Sequence, residues 1–410
     1  MKAIIAGAGI GGLTAALCLH RIGFEVEIYE SARTLRPLGV GINLLPHGAA
    51  ILHGLGLGGQ LDAIGIATRA IEYRTRYGHL IASDPRGVEA GFAFPQYSIH
   101  RGYLQTILLE AARDRLGGDV VKTGMPLTGF IQGHESVRAH FDGVYAGRGV
   151  DAIEGDILIG GDGFHSAVRR QLHPDEGPAH FEGTMLWRGA NEQSPFGDGR
   201  TMFIAGNHDA KIVCYPISER ARRAGKTLVN WVAEVRNCRP RAAADADWTK
   251  TGTREFIEHF NEFQMPDIDL QALFGNTQVI NEYPMIDRDP LQWWSDGRVT
   301  LLGDAAHPMF PIGANGASQA ILDGKALADS LERITDPAAA LLDYEGKRRD
   351  TTGQVVLANR AYGPEQVLDI ADQRMTGPND RIEDLITVEE IEAVARNYRT
   401  VAGFRKTSES

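Results

Sequence analysis

Lys2–Ala6 (KAIIA) is a short apolar run ending at Gly7, the pattern of a buried strand. From Leu13 onward, Leu13, Ala16, Leu17 and Ile22 recur at helical spacing, and Gly23 supplies a stop. Phe24–Glu30 then alternates, Phe24, Val26 and Ile28 against Glu25, Glu27 and Tyr29, as a half-buried strand does. Together these segments predict a β-α-β unit of about 30 residues at the N-terminus. Two further apolar runs that end in turns lie far downstream, Asp156–Gly160 (DILIG) and Arg298–Leu302 (RVTLL). Between them Thr201–Gly206 and Lys211–Ile217 read as strands, in a region that also holds Trp187, Phe203 and Tyr215. From about Gln354 the pattern is mostly helical, and Thr387 with Glu390 has the spacing of a capping box.

Length and composition narrow the class. A chain of 410 residues exceeds one ordinary domain and can bury a large core without disulfides or metal. The formal net charge is −11, with no long basic run, so neither nucleic acid nor an anionic membrane is an expected partner. Cys18, Cys214 and Cys238 are widely separated and odd in number, which suits a reducing cytoplasm better than a disulfide framework. The 13 histidines form no metal-ligand spacing, and no metal is expected. Ala3–Leu19 is uncharged like the core of a signal peptide, but Gly7, Gly9, Gly11 and Gly12 break it, and a strand, turn and helix fit it better.

The 48 glycines fall where chemistry is expected. Gly7, Gly9 and Gly12 fit G-x-G-x-x-G between a strand and a helix, and Glu30 ends the next strand 18 residues after Gly12. In a dinucleotide site the first glycine makes the tight turn. The second lets a pyrophosphate approach the backbone, and the third lets helix and strand pack closely. The acid reaches ribose hydroxyls, and the helix N-terminus holds phosphate charge. Gly54–Gly59 satisfies the same pattern, yet no buried strand precedes it, and it reads as a helix C-terminus and loop. A second junction runs from Gly160 through Asp162 to Ser166, a helix cap, and Arg169. A third runs from Gly303 and Asp304 through His307, Pro308 and Pro311 to Gly313, Asn315 and Gly316, leading into a helix. That helix N-terminus would favour a flavin ring that becomes anionic on reduction; the segment also reads as a rigid loop over a core.

In order and rough spacing, Gly7–Gly12 with Glu30, the D-G-x-x-S-x-x-R of Asp162–Arg169 and the G-D-A-A-H-P of Gly303–Pro308 resemble the single-component flavoprotein aromatic hydroxylases of para-hydroxybenzoate-hydroxylase type. Gly313–Gly324 and Ala358–Glu365 resemble more narrowly the phenazine-carboxylate hydroxylase branch, and Gly313-Ala314-Asn315-Gly316 departs from the commoner G-Q-G. The resemblance implies that Gly7, Gly9, Gly12 and Glu30 hold the ADP half of FAD, and that Arg101 and Gln105 contact its phosphate and ribityl chain. It puts Asp162 near the pyrophosphate and the nicotinamide donor, Gly303 and Asp304 at the ribityl chain, and Pro311, Gly313, Asn315 and Gly316 along the ring. Trp187, Tyr215 and Pro311 become candidate pocket walls, with no residue assigned as acid or base. His307 reads as a structural hydrogen-bonding group before an acid–base one. Arg188 reads as an exposed ion pair before a partner for a substrate carboxylate.

The implied fold is α/β: a discontinuous Rossmann-like FAD-binding domain, an inserted mixed-sheet substrate domain and a helical C-terminal segment. The expected boundaries are 1–70, 98–180 and 290–350 for the first, 71–97 and 181–289 for the second, and 351–410 for the third. The implied activity is an FAD-dependent monooxygenase, monomeric or homodimeric. NAD(P)H reduces the flavin, O₂ adds as a C4a-hydroperoxide, and oxygen passes to an aromatic or N-heteroaromatic acid or phenol, with or without loss of carboxylate. A disulfide reductase would need a cysteine pair and a second full fingerprint. An NAD-dependent dehydrogenase leaves the two downstream turns unexplained. A non-enzymatic flavin-fold binding protein would not need the intact fingerprint and Asp304.

Overall fold

The computed structural model describes residues 1–35, 40–145, 148–149, 152–236 and 251–401. Cys238 lies outside them, as does the end of the expected helical segment beyond residue 401. Lys2–Ala6, the Ile10–Arg21 helix and Glu25–Glu30 form the N-terminal β-α-β unit. Lys2–Ala6 sits at the centre of a five-stranded parallel sheet. Its order is Val299–Leu301, Ile157–Gly160, Lys2–Ala6, Glu25–Glu30 and Val121–Thr123. Three strands from remote parts of the chain are thus direct neighbours, and their carboxyl ends open into Gly7, Gly161 and Gly303 side by side. That edge is where open α/β sheets bind ligands.

The Ile10–Arg21 helix packs across the Gly316–Arg333 helix at close range. A Cβ on Gly324 would lie 2.8 Å from the Ala15 nitrogen, so the helices meet backbone to backbone there. The 54–59 glycines behave mostly as expected. The Pro46–Gly54 helix ends there and Gly56 turns left-handed (φ 77°), but a second helix, Gly58–Ile64, follows at once where a loop was expected.

A seven-stranded sheet makes the other half. Its order is Asn281–Asp287, His180–Gln193, Thr227–Val235, Ala210–Pro216, Thr201–Gly206, Ala70–Arg74 and Leu80–Pro85, antiparallel except where Thr201–Gly206 meets Ala70–Arg74. One face buries Trp187, Phe203 and Trp231 against Phe256, Phe260 and Phe274. The opposite face packs Ile71 and Tyr73 against Val367, Leu368 and Ala371 of the Gln366–Arg374 helix. The C-terminal segment is helical through Pro337–Arg360, Gln366–Arg374, Ile382–Leu385 and Val388–Val401. The Thr387–Glu390 box closes reciprocally, at 2.9 Å from the Thr387 N–H to the Glu390 carboxylate and 3.2 Å from the Glu390 N–H to the Thr387 hydroxyl. Among the described residues, no helix is long and apolar enough to cross a membrane.

The Gly324 crossing makes a prediction. Gly324→Val should force the two helices apart and lower stability by at least about 1–3 kcal/mol. The expected result is a lower urea midpoint with an unchanged slope.

Candidate active site

The N-terminal glycines do three different jobs. Gly7 is left-handed (φ 99°), and a Cβ there would stand 2.3 Å from the Gly161 carbonyl oxygen. A Cβ on Gly12 would stand 2.2 Å from the Gly7 carbonyl oxygen, which makes Gly12 the point where helix and turn touch. Gly9 differs: nothing lies within 4 Å of its missing Cβ, and it faces a cavity of about 380 Å³. Ala8 between them is held from both sides. Its N–H donates to Glu30 Oε2 (2.9 Å), and its carbonyl accepts from Gln105 Nε2 (2.8 Å).

The second junction caps itself. Ser166 Oγ accepts from the Arg169 N–H (2.9 Å), as the sequence predicts. The Asp162 carboxylate is occupied locally, accepting from Ser166 Oγ (2.5 Å) and the Ala167 N–H (2.7 Å). It is Gly161 and Gly163, not the Asp162 side chain, that line the cavity. Arg169 is buried and donates to the carbonyls of Ala305 and Ala306 (both 2.9 Å), fastening this junction to the third.

The third junction is anchored from inside. Asp323 is fully buried on the Gly316–Arg333 helix and accepts from the Gly303 N–H (3.0 Å), His307 Nε2 (2.6 Å) and Arg348 Nε (2.7 Å). Burial would raise this carboxyl, but His307 and Arg348 outweigh it and hold it at about 2. His307 is therefore a structural group here. Asp304 beside it is exposed and lines the cavity with Arg101, Gly303, Pro311, Gly313, Asn315 and Gly316. Gly313 (φ 67°) and Ala314 (φ 56°) are both left-handed, turning the chain so that the helix after Asn315 starts at the cavity. The Ile10–Arg21 and Gly316–Arg333 helices both open toward the cavity without a side-chain cap, so their free N–H groups and partial positive charge face it. These features fit FAD, with the open space at Gly9 for the pyrophosphate and the second helix start for the ring.

The far wall is one face of the seven-stranded sheet. Arg188, Val232, Val213, Ile204 and Tyr73 lie in one row across five strands, and Tyr215 and Met202 lie two residues away on the same face. Trp187 is adjacent to Arg188 in sequence, so strand alternation turns it the other way. Trp187 does not line the cavity; it stacks on Phe256 (5.1 Å) and donates its indole N–H to Glu282 (3.1 Å). The pocket-wall expectation for Trp187 is thus corrected, whereas Tyr215 and Pro311 do line the cavity.

Arg188 also departs from the exposed ion pair expected of it. It is half-buried and donates to Tyr283 Oη (2.9 Å) and the Gly41 carbonyl (2.8 Å). Its Nε has no hydrogen-bond partner, and no carboxylate pairs with it among the described residues. The Tyr215 hydroxyl donates to the same Gly41 carbonyl (2.9 Å), and burial pushes its phenol up to about 12 against the pull of Arg188. The alternation of His180–Gln193 was the signal available for Arg188, since a tryptophan packed on one face sends its neighbour to the other. Glu234 and Glu365, which also line the cavity, had no such signal.

A model of the FAD binding domain family matches residues 1–359. The chain belongs to that family. It is 45% identical over 360 residues to a phenazine 1,6-dicarboxylic acid hydroxylase of Lysobacter antibioticus, covering 87% of this chain and 88% of the relative. It is 33% identical over 396 residues to a 3-amino-4-hydroxybenzoate 2-monooxygenase of Streptomyces platensis, covering 93% and 90%. In fold it is similar to Klebsiella pneumoniae HpxO, solved with FAD and uric acid, with a TM-score of 0.71 at 23% identity over 100% of this chain and 94% of that one. The chain is an FAD-dependent monooxygenase.

Two variants test the cofactor half. A Cβ at Gly9 meets no protein atom within 4 Å, so Gly9→Val should fold normally yet purify without flavin; full flavin content would remove Gly9 from the cofactor's path. Asp323→Ala leaves Arg348 and His307 without their carboxylate and should cost about 3–5 kcal/mol at neutral pH. Because the folded-state pKa is depressed, this contribution is present above the unfolded value near 4 and is lost as pH falls through about 2. Denaturation of wild type and variant should accordingly converge at the acid end.

Proposed function

We propose that this monooxygenase uses NAD(P)H and O₂ to hydroxylate a planar aromatic acid whose carboxylate lies against Arg188. The observation that carries this reading is a half-buried guanidinium facing the cavity, with tyrosines and a carbonyl around it and, among the described residues, no acid paired with it. A buried charge without a partner is costly, and an incoming carboxylate supplies that partner with charge-assisted hydrogen bonds. Two of the relatives are named for acids, one a phenazine dicarboxylate and one an aminohydroxybenzoate, which supports the same class.

Bound FAD supplies the redox chemistry, accepting electrons from NAD(P)H and activating O₂. This chain's residues do the rest. Gly9 and the N-terminus of the Ile10–Arg21 helix receive the pyrophosphate, with Arg101 at the cavity edge, while Glu30 and Gln105 fix the shape of the turn. Asp304 accepts from the ribityl hydroxyls, and Gly313–Gly316 backs the ring. Arg188 and Tyr215 orient the substrate across Val213, Val232, Ile204 and Phe310, apolar side chains that exclude water from the reacting face. The cavity joins the parallel-sheet half to the inserted sheet, in line with 1–70, 98–180 and 290–350 forming one domain and 71–97 and 181–289 the other. We place the enzyme in the cytoplasm as a monomer or homodimer; the buried free thiols Cys18 and Cys214 suit a reducing compartment.

The test is a panel of aromatic acids and their amides, scored for stimulated NAD(P)H oxidation and for an oxygenated product by mass. Acids should stimulate and amides should not. Arg188→Met should raise KM for an acid roughly a hundredfold while flavin content stays unchanged. Equal KM values for acid and amide in the wild type, or no effect of Arg188→Met, would defeat the assignment.

A further inference from the structure

The cavity wall also carries a buried charge cluster. Lys211 and Glu234 are opposite each other on adjacent strands, with Lys211 Nζ 2.9 Å from Glu234 Oε2. Glu365, arriving from the turn after the Pro337–Arg360 helix, bonds the same ammonium from above the sheet. All three residues are buried, and both carboxylates line the cavity with Pro364. Strand geometry places this cluster near Arg188. Arg188 is opposite Val232 and Glu234 lies two residues further along, so their Cα atoms are about 8 Å apart. The same wall of the cavity thus carries the Arg188 cation and, diagonally across two strands, two carboxyls sharing one lysine.

Charge arithmetic decides what the acid end can do. Two carboxylates against one ammonium leave one negative charge in a water-poor site, which a proton on one carboxyl removes. Among the described residues, Lys211 is the cation paired with Glu234 and Glu365. Asp369 lies on the Gln366–Arg374 helix, where its carboxylate accepts from the His208 backbone N–H (2.7 Å), and it adds negative charge. Tyr362 lies against His208, with ring centroids 3.9 Å apart, and feels Glu182 and Arg236 from the sheet.

Resting on the aromatic-acid reading, we propose that Glu365 is a specificity-determining residue. In its protonated form it donates a hydrogen bond to a ring nitrogen of a substrate anchored by its carboxylate at Arg188. The enzyme thereby selects N-heteroaromatic acids over carbocyclic acids of the same shape. Burial raises the Glu365 carboxyl against the opposing pull of Lys211, in the direction this role requires. Raising the pH removes the proton, and the selectivity with it.

The experiment compares phenazine-1-carboxylate with anthracene-1-carboxylate, which has C–H in place of each ring nitrogen. Binding to the flavin-loaded enzyme is measured by equilibrium dialysis across a pH series, without turnover. Wild type should bind the phenazine acid roughly tenfold more tightly at the acid end, and the preference should fade as pH rises. Glu365→Gln retains an N–H donor, so it should keep a preference that no longer depends on pH. Glu365→Leu should bind both acids equally. Unchanged pH dependence in Glu365→Gln, or a wild-type preference without pH dependence, would overturn the proposal even if the leucine variant fails to fold. Failure of the aromatic-acid reading looks different: neither acid binds, or both bind Arg188→Met as tightly as wild type.

Discussion

The carboxylate of Asp323 is the interaction on which the catalytic half depends. It joins two parts of the chain that are distant in sequence, the Gly303–His307 turn and loop and Arg348 on the Pro337–Arg360 helix. Because Asp323 is two turns into the Gly316–Arg333 helix, the same contact sets how the start of that helix faces the cavity. Arg348 also bonds the Gln319 side chain (2.5 Å), so the helix is gripped at two successive turns. A fully buried carboxylate is unfavourable alone; here two cationic or donating side chains and a backbone N–H satisfy it, and the arrangement holds only when every member is present.

Around that anchor, backbone packs on backbone. Gly7 against Gly161, Gly12 against Gly7, and Gly324 against Ala15 each leave no space for a side chain. Arg169 adds a polar tie from the second junction to the third. The result is a set of turns whose relative positions are fixed by contacts within the protein, the condition under which helix N-termini and exposed N–H groups act as a preorganised site. Gly9 stands apart from the other glycines, because it is small for the sake of the cavity and not for packing.

The opposite wall follows a different rule. In the central strands of the seven-stranded sheet alternate residues face an aromatic core, and those between face the cavity or the C-terminal helices, so one surface holds Arg188, Tyr215, Lys211 and Glu234 among valines and isoleucines. Gly41 connects this wall to the cofactor half. Its carbonyl accepts from Arg188 and Tyr215, and its N–H donates to Asn230 (2.6 Å). A Cβ on Gly41 would sit 2.5 Å from Ile217, so this bridge too depends on the absence of a side chain. The C-terminal segment completes the enclosure with Pro364 and Glu365.

By itself, the sequence determined what depends on neighbours along the chain. The N-terminal strand, turn and helix, the Ser166 cap, the Thr387–Glu390 box and the strands near Thr201 and Lys211 are all set by local spacing, because hydrogen-bonded turns and side-chain alternation act within a few residues. Glycine spacing in context also marked Gly9, the glycine that faces the cavity with open space at its missing Cβ. Tertiary structure decided which groups share a cavity. Asp323 meets Gly303 and Arg348, and Glu365 meets Lys211, across separations of 20 to 154 residues, and no periodicity encodes such pairings. It also decided which side of each strand is wet. Trp187 and Arg188 are adjacent in the chain, yet only the sheet's packing partners determine that the tryptophan joins the core and the arginine lines the cavity.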